Sequence, residues 1–149
     1  MTAQLLQSSK PLLPAGESFQ MLTHSFTVKV SGVDTHGNWV MYEVADTIDN
    51  GAPLHSHPWG ESFYILEGEL EMQVGNRKLV ATAGDSIYIP ENVAHNFRIC
   101  SPSLRALIVM APASAEGFYR AIGEKITTLP PDPEVFQEIC SEYGVRIFM

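Results

Sequence analysis

The chain has 149 residues, with nine Lys and Arg against 17 Asp and Glu and a net charge of −8. That length suits one domain, able to bury roughly 68–70% of its unfolded surface without disulfide staples. The acidic balance argues against nucleic acid or an anionic membrane surface as partner, since both demand a basic stripe.

The two cysteines, Cys100 and Cys140, stand far apart with no Cys-x-x-Cys pair, which reads as two free thiols of a reducing compartment. No basic leader and no apolar stretch long enough to span a bilayer is visible, so the expected location is the cytoplasm.

Residues 1–24 are expected to form an N-terminal arm, with 1–20 an arm or edge segment rather than core, because Pro11, Pro14 and Gly16 interrupt any regular pattern. From residue 25 to 111 the pattern is one of short strands. Phe26, Val28 and Val30 alternate with polar neighbours. A turn at 34–38 leads to an apolar strand over 38–45, and Asp49-Asn50-Gly51 turns the chain again. Strands are predicted over 62–66 and 70–74, the second with alternating wet and buried faces. Gly75-Asn76 is a hairpin signal, and strands return over 79–82, 87–89, 93–100 and 104–110. Turns every eight to twelve residues or so point to an all-β sandwich or barrel.

Residues 112–149 change to helical spacing. Phe118, Tyr119 and Ile122 share one helical face, with Gly123 expected as a stop. Asp132 and Pro133 cap a second helix whose apolar face holds Val135, Phe136, Ile139, Cys140 and Tyr143, and Gly144 ends it. Both helices are expected to pack on the barrel.

One cluster carries chemistry. His55 and His57 are two apart, so an extended backbone puts both imidazoles on one face, about 6.5 Å apart along the strand. Pro58-Trp59-Gly60 turns the chain and Glu61 opens the next strand. His95 follows on a strand able to pair nearby. Three imidazoles and a carboxylate make a ligand set for one divalent transition metal with positions left open. Fe, Mn, Co, Ni, Cu and Zn all suit these donors.

These residues resemble the two motifs of the cupin family. His55, His57, Glu61 and Gly68 match the first motif, and Gly84, Pro90 and His95 match the second. Asn92 stands where the second motif usually has Gly; Asn tolerates positive φ, so the turn is expected to survive. Gly51 lies closer to His55 than the family's usual spacing. The resemblance spans about 25–111 and implies a single antiparallel jelly-roll β-barrel with the metal inside. The Thr27-Val-Lys-Val30 opening, Glu43 and the Tyr143-Gly144-Val145 ending are also similar to the small bacterial quercetin 2,3-dioxygenase-like cupins.

Strand alternation predicts the barrel interior. If Glu61 and His95 point inward, so do Phe63, Ile65, Phe97 and Ile99, with Leu70, Met72 and Val74 facing them. Phe63, Met72, Phe97 and Trp59 are the expected substrate pocket, although Trp59 either packs over the site or only fills its turn. Glu43 either faces the cavity or lies outside. Phe118 and Tyr119 either close the barrel mouth or pack the helix down. His24 and His36, near turns, are expected to be exposed.

An apolar, aromatic cavity around a metal suits a small, poorly charged molecule. The expected function is a metal-dependent dioxygenase acting on a small aromatic or enolic substrate, a polyphenol being the first candidate. Glu61 would serve as ligand and proton acceptor. A non-catalytic small-molecule or metal-binding cupin and an oxygen-independent metal-assisted isomerase or lyase remain open alternatives. The strand over 104–110 is apolar on both faces, which predicts a homodimer, with the arm adding to the interface.

Overall fold

The computed structural model describes residues 11–148. Residues 1–10, the start of the expected arm, and Met149 lie outside the described residues. The strands are β1 (Ser18–Met21), β2 (His24–Val30), β3 (Val40–Thr47), β4 (Gly51–Ser56), β5 (Gly60–Glu67), β6 (Glu69–Val74), β7 (Arg77–Thr82), β8 (Ser86–Ile89), β9 (His95–Ile99), β10 (Ser103–Ala111) and β11 (Arg146–Ile147). Helices α1 (Ala115–Lys125) and α2 (Pro133–Tyr143) precede β11. Among the described residues, no helix is long and apolar enough to cross a membrane.

One sheet runs β1-β2-β3-β10-β5-β8 and the other β11-β4-β9-β6-β7. Every pairing is antiparallel. From β3 onward the chain crosses repeatedly between the sheets, which is the jelly-roll that the family resemblance implies. Inward residues alternate as the pleat requires: Val40, Tyr42 and Val44 on β3, Phe63 and Ile65 on β5, Leu104, Ala106, Ile108 and Met110 on β10. Glu43 sits on the opposite phase. It faces outward, 3.3 Å from Arg105 and 3.9 Å from Lys29.

Within the arm or edge segment, Ser18–Met21 is an edge strand, paired with β2 from Ser18↔Thr27 to Met21↔His24. Gly123 does not stop α1, which runs on to Lys125. Its missing side chain serves packing instead, because a Cβ there would stand 3.0 Å from the Phe19 ring. Arg120 ties the same helix to the entry of β1 through an ion pair with Glu17. Strand β11, which no sequence pattern announces, adds to the edge of β4 opposite His55 and Ser56.

Helix α2 forms as its signals direct. Asp132 accepts from the N–H groups of Glu134 and Val135, Pro133 occupies the first turn, and Gly144 closes the helix at φ 74°. Ile139 and Cys140 are its buried residues.

Candidate metal centre and its cavity

His55 and His95 are direct cross-strand partners on β4 and β9, with ring centroids 4.2 Å apart. His57, one residue beyond β4, brings its ring within 4.8 Å of His95 and 5.6 Å of His55. One ligand atom from each of the three lies within 4.8 Å of the others. Glu61 approaches from the opposing sheet, its Oε1 3.5 Å from His57 Nε2 and 3.4 Å from His95 Nε2. All four expected ligands therefore converge, three of them from one sheet and one from the other.

Backbone carbonyls set the tautomers. The Nδ1 of His55 contacts Pro53 O at 2.7 Å, that of His57 contacts Trp59 O at 3.0 Å, and that of His95 contacts Val93 O at 2.9 Å. A carbonyl only accepts, so each Nδ1 carries the hydrogen and each Nε2 is left as a lone pair. The Nε2 atoms of His57 and His95 are buried with no hydrogen-bond partner among the described residues. The Glu61 carboxylate is near, but it only accepts and so cannot satisfy them. Buried polar atoms are normally paired, and lone pairs facing a carboxylate repel. A cation at this point would satisfy all of them, so the donor set fits a divalent metal.

The electrostatics agree. Burial, and then the neighbouring His95, pulls the His55 imidazole down to about 4, so it remains a neutral donor at neutral pH. Burial pushes the Glu61 carboxyl up, but hydrogen bonds and positive charge from protonated His57 and His95 outweigh it and hold the group well below the usual carboxylate range; an ion bound to their lone pairs would act in the same direction. Glu61 is thus an anion. Its Oε2 accepts from the Tyr119 hydroxyl at 3.3 Å. Burial first, and then the Glu61 charge, raises Tyr119 far above a normal phenol and keeps its proton in that bond. Tyr119 does more than pack α1 down.

The loop of the second motif is fastened to the first. Asn92 N–H donates to His57 O at 2.8 Å, and Asn92 takes φ 63° in the place where Gly is usual. The left-handed turn survives, as expected from an Asn. Asn92→Gly is expected to leave stability within about 0.5 kcal/mol, whereas Asn92→Val should cost about 1–2 kcal/mol because a branched side chain resists that backbone region. Urea unfolding of both variants checks this.

The cluster closes one end of a cavity of about 90 Å³ between the sheets. Phe63, Phe97, Ile99, Leu104 and Ile108 are among its walls, and Phe136, Val145 and Ile147 bring the C-terminal segment to it. Gly51 lets β4 pass close by: a Cβ there would stand 1.9 Å from Phe97 O. Two expected pocket residues fall elsewhere. Met72 is buried but lies one strand further, on β6 opposite Phe97, and Phe97 fills the space between. Trp59 stands behind the site, its ring stacked on His57 at 4.4 Å and 8°. His24, expected on the surface, is 4% exposed and lines the cavity. Its position on the inward phase of Phe26 and Val28 was the available signal. His36 is exposed as expected.

The cupin domain family matches residues 47–111. Quercetin 2,3-dioxygenase of Bacillus subtilis strain 168 is 25% identical over 116 residues, covering 76% of this chain and 34% of that enzyme. An uncharacterised protein of Streptomyces coelicolor is 32% identical over 68 residues, 46% of this chain and 62% of that protein. The match thus spans about a third of the Bacillus enzyme's length and under two thirds of the Streptomyces protein's. An RmlC-like cupin from Shewanella frigidimarina shares the fold with a TM-score of 0.58 at 19% identity, over 68% of this chain and 88% of that one. Two facing antiparallel sheets with the paired histidine motifs within them give the chain a cupin fold, matched by the cupin domain family over residues 47–111 and similar in sequence to quercetin 2,3-dioxygenase.

Proposed function

We propose that the protein is a metal-dependent dioxygenase acting on a small aromatic or enolic substrate, with one divalent transition metal held by His55, His57, Glu61 and His95. The observation that carries this reading is the convergence of three lone-pair imidazoles and an ionised carboxylate at the end of an apolar cavity. When bound, the ion supplies a positive centre with positions open to substrate oxygen and O₂. Glu61 accepts the substrate's hydroxyl proton, and the Tyr119 hydroxyl, held on Oε2, keeps Oε1 turned toward the histidines. Phe63, Phe97 and Ile108 exclude water and hold the ring or enol flat against the walls. The likeness to quercetin 2,3-dioxygenase supports oxygen chemistry.

Cavity size narrows the substrate. At 10–15 Å³ for each water-sized group, about 90 Å³ holds roughly six to nine such groups. That is one substituted ring or a short enediol. A three-ring flavonol would require the walls to move.

Oxygen uptake is the test, using protein loaded separately with Fe, Mn, Co, Ni and Cu. Catechols and small enediols are expected to give uptake, and flavonols less or none. No uptake with any pair, alongside measurable ligand binding, would contradict the enzyme and favour a small-molecule binder.

We also propose a homodimer through the outer face of β10 and β5. Leu107 and Val109 are only half-covered there, with Tyr64 44% and Tyr88 66% exposed on the neighbouring strands. An apolar sheet face of this kind fits a second copy of itself. Light scattering at micromolar concentration should give twice the chain mass, and a monomer would contradict it.

A further inference from the structure

The cavity has a second polar pole, away from the histidine cluster. His24, at the start of β2, and Asp46, near the end of β3, both line it. His24 Nδ1 lies 2.5 Å from Asp46 Oδ2, with the two side chains 5% and 3% exposed. Asp46 also accepts from Thr47 N–H at 2.8 Å, Asn50 Nδ2 at 2.8 Å and the Thr23 hydroxyl at 2.9 Å. Burial pushes its carboxyl up, but these bonds, that from His24 foremost, outweigh burial and hold it below the usual range. An ionised carboxylate only accepts, so the His24 proton sits on Nδ1.

That leaves Nε2 as an acceptor, and it has no hydrogen-bond partner among the described residues. The other neighbours of the ring are apolar faces, Phe97 at 5.6 Å and Phe26 at 6.0 Å. Phe97 follows His95 by two residues on β9, one strand repeat of about 6–7 Å. Phe97 therefore lies beside both poles, and both line the one cavity.

We propose that His24, oriented by Asp46, receives a hydroxyl at the end of the ligand remote from the histidine cluster, so that the ligand is a small phenol or enol with polar atoms at both ends of an apolar body. This rests on the reading of the cavity as a substrate site. Nε2 accepts the hydrogen bond from the hydroxyl. When an acidic hydroxyl ionises, its O–H bond breaks, the electron pair stays on oxygen, the proton goes to Nε2, and the Asp46 carboxylate balances the imidazolium.

The experiment compares 4-cyanophenol with benzonitrile, which keeps the ring and nitrile but lacks the hydroxyl. Calorimetry on the full chain, metal-free and zinc-loaded, gives both affinities for the wild type, His24→Phe and Asp46→Asn. The phenol is expected to bind roughly tenfold more tightly, the worth of one hydrogen bond, in both metal states. In the two variants that ratio should fall toward one, with zinc content and benzonitrile affinity unchanged. The ultraviolet absorption of the phenol should move toward that of phenolate on the wild type alone. A ratio near one in the wild type, one that survives both substitutions, or one that appears only with zinc overturns the proposal. Failure of both ligands to bind overturns the cavity reading itself, while zinc content still reports separately on the metal centre. If His24→Phe does not fold, Asp46→Asn and the wild-type ratio decide.

Discussion

Replacing His57 with Ala is expected to abolish stoichiometric metal binding while the barrel still folds. The imidazole is 2% exposed and its Nε2 has no other partner among the described residues, so its function is toward the centre. Loss of a residue that only orients a ligand costs 10–100-fold in metal affinity, and removal of a ligand itself should cost more. In the wild type, metal at about a hundred times its dissociation constant should add about 2.7 kcal/mol of stability. For a chain of this size that is roughly 5–10 °C in melting temperature. The variant should show no such shift. Without metal, its stability should fall less than a core truncation normally costs, because one of the mutually repelling donors has gone. Elemental analysis and melting curves with and without added metal check both statements.

Trp59→Ala is expected to cost about 3–5 kcal/mol, the range for truncating a buried aromatic. Trp59 is 2% exposed, stacked on His57 at 4.4 Å and packed against Phe118 at 5.8 Å. Its removal opens space behind a proposed ligand, so metal affinity should also fall, by the 10–100-fold typical of a lost supporting group. Trp59→Phe should recover much of both. Denaturant unfolding and a calorimetric metal titration separate the two effects. An unchanged affinity in Trp59→Ala would mean that His57 is held by its Trp59 carbonyl contact alone.

Much of the candidate metal centre was legible because its parts are local and periodic. His55 and His57 sit two apart where the backbone is extended, and Glu61 follows a three-residue turn. The closing residue, His95, was readable as a histidine on a strand able to pair nearby, although nothing local says that β9 pairs with β4. Asn92 was readable from its tolerance of positive φ. What escaped were residues whose role depends on long-range packing. His24 carries the inward phase of Phe26 and Val28 two residues further, yet its nearness to a turn suggested exposure. Asp46 continues the inward phase of Val44 and becomes stable there only through four hydrogen-bond donors, three of them side chains, which no pattern announces. Gly123 has the identity of a helix stop, but the approach of Phe19 is its reason. A two-residue strand such as β11 is too short to show a period at all.

Anomalous diffraction from crystals of the protein loaded with a single metal tests the central claim most directly. One peak per chain is expected, about 2.0–2.2 Å from the Nε2 atoms of His55, His57 and His95, as for imidazole-bound zinc, with Glu61 beside it. A peak bound elsewhere, or none at full metal loading with these three nitrogens still unpaired, would contradict it.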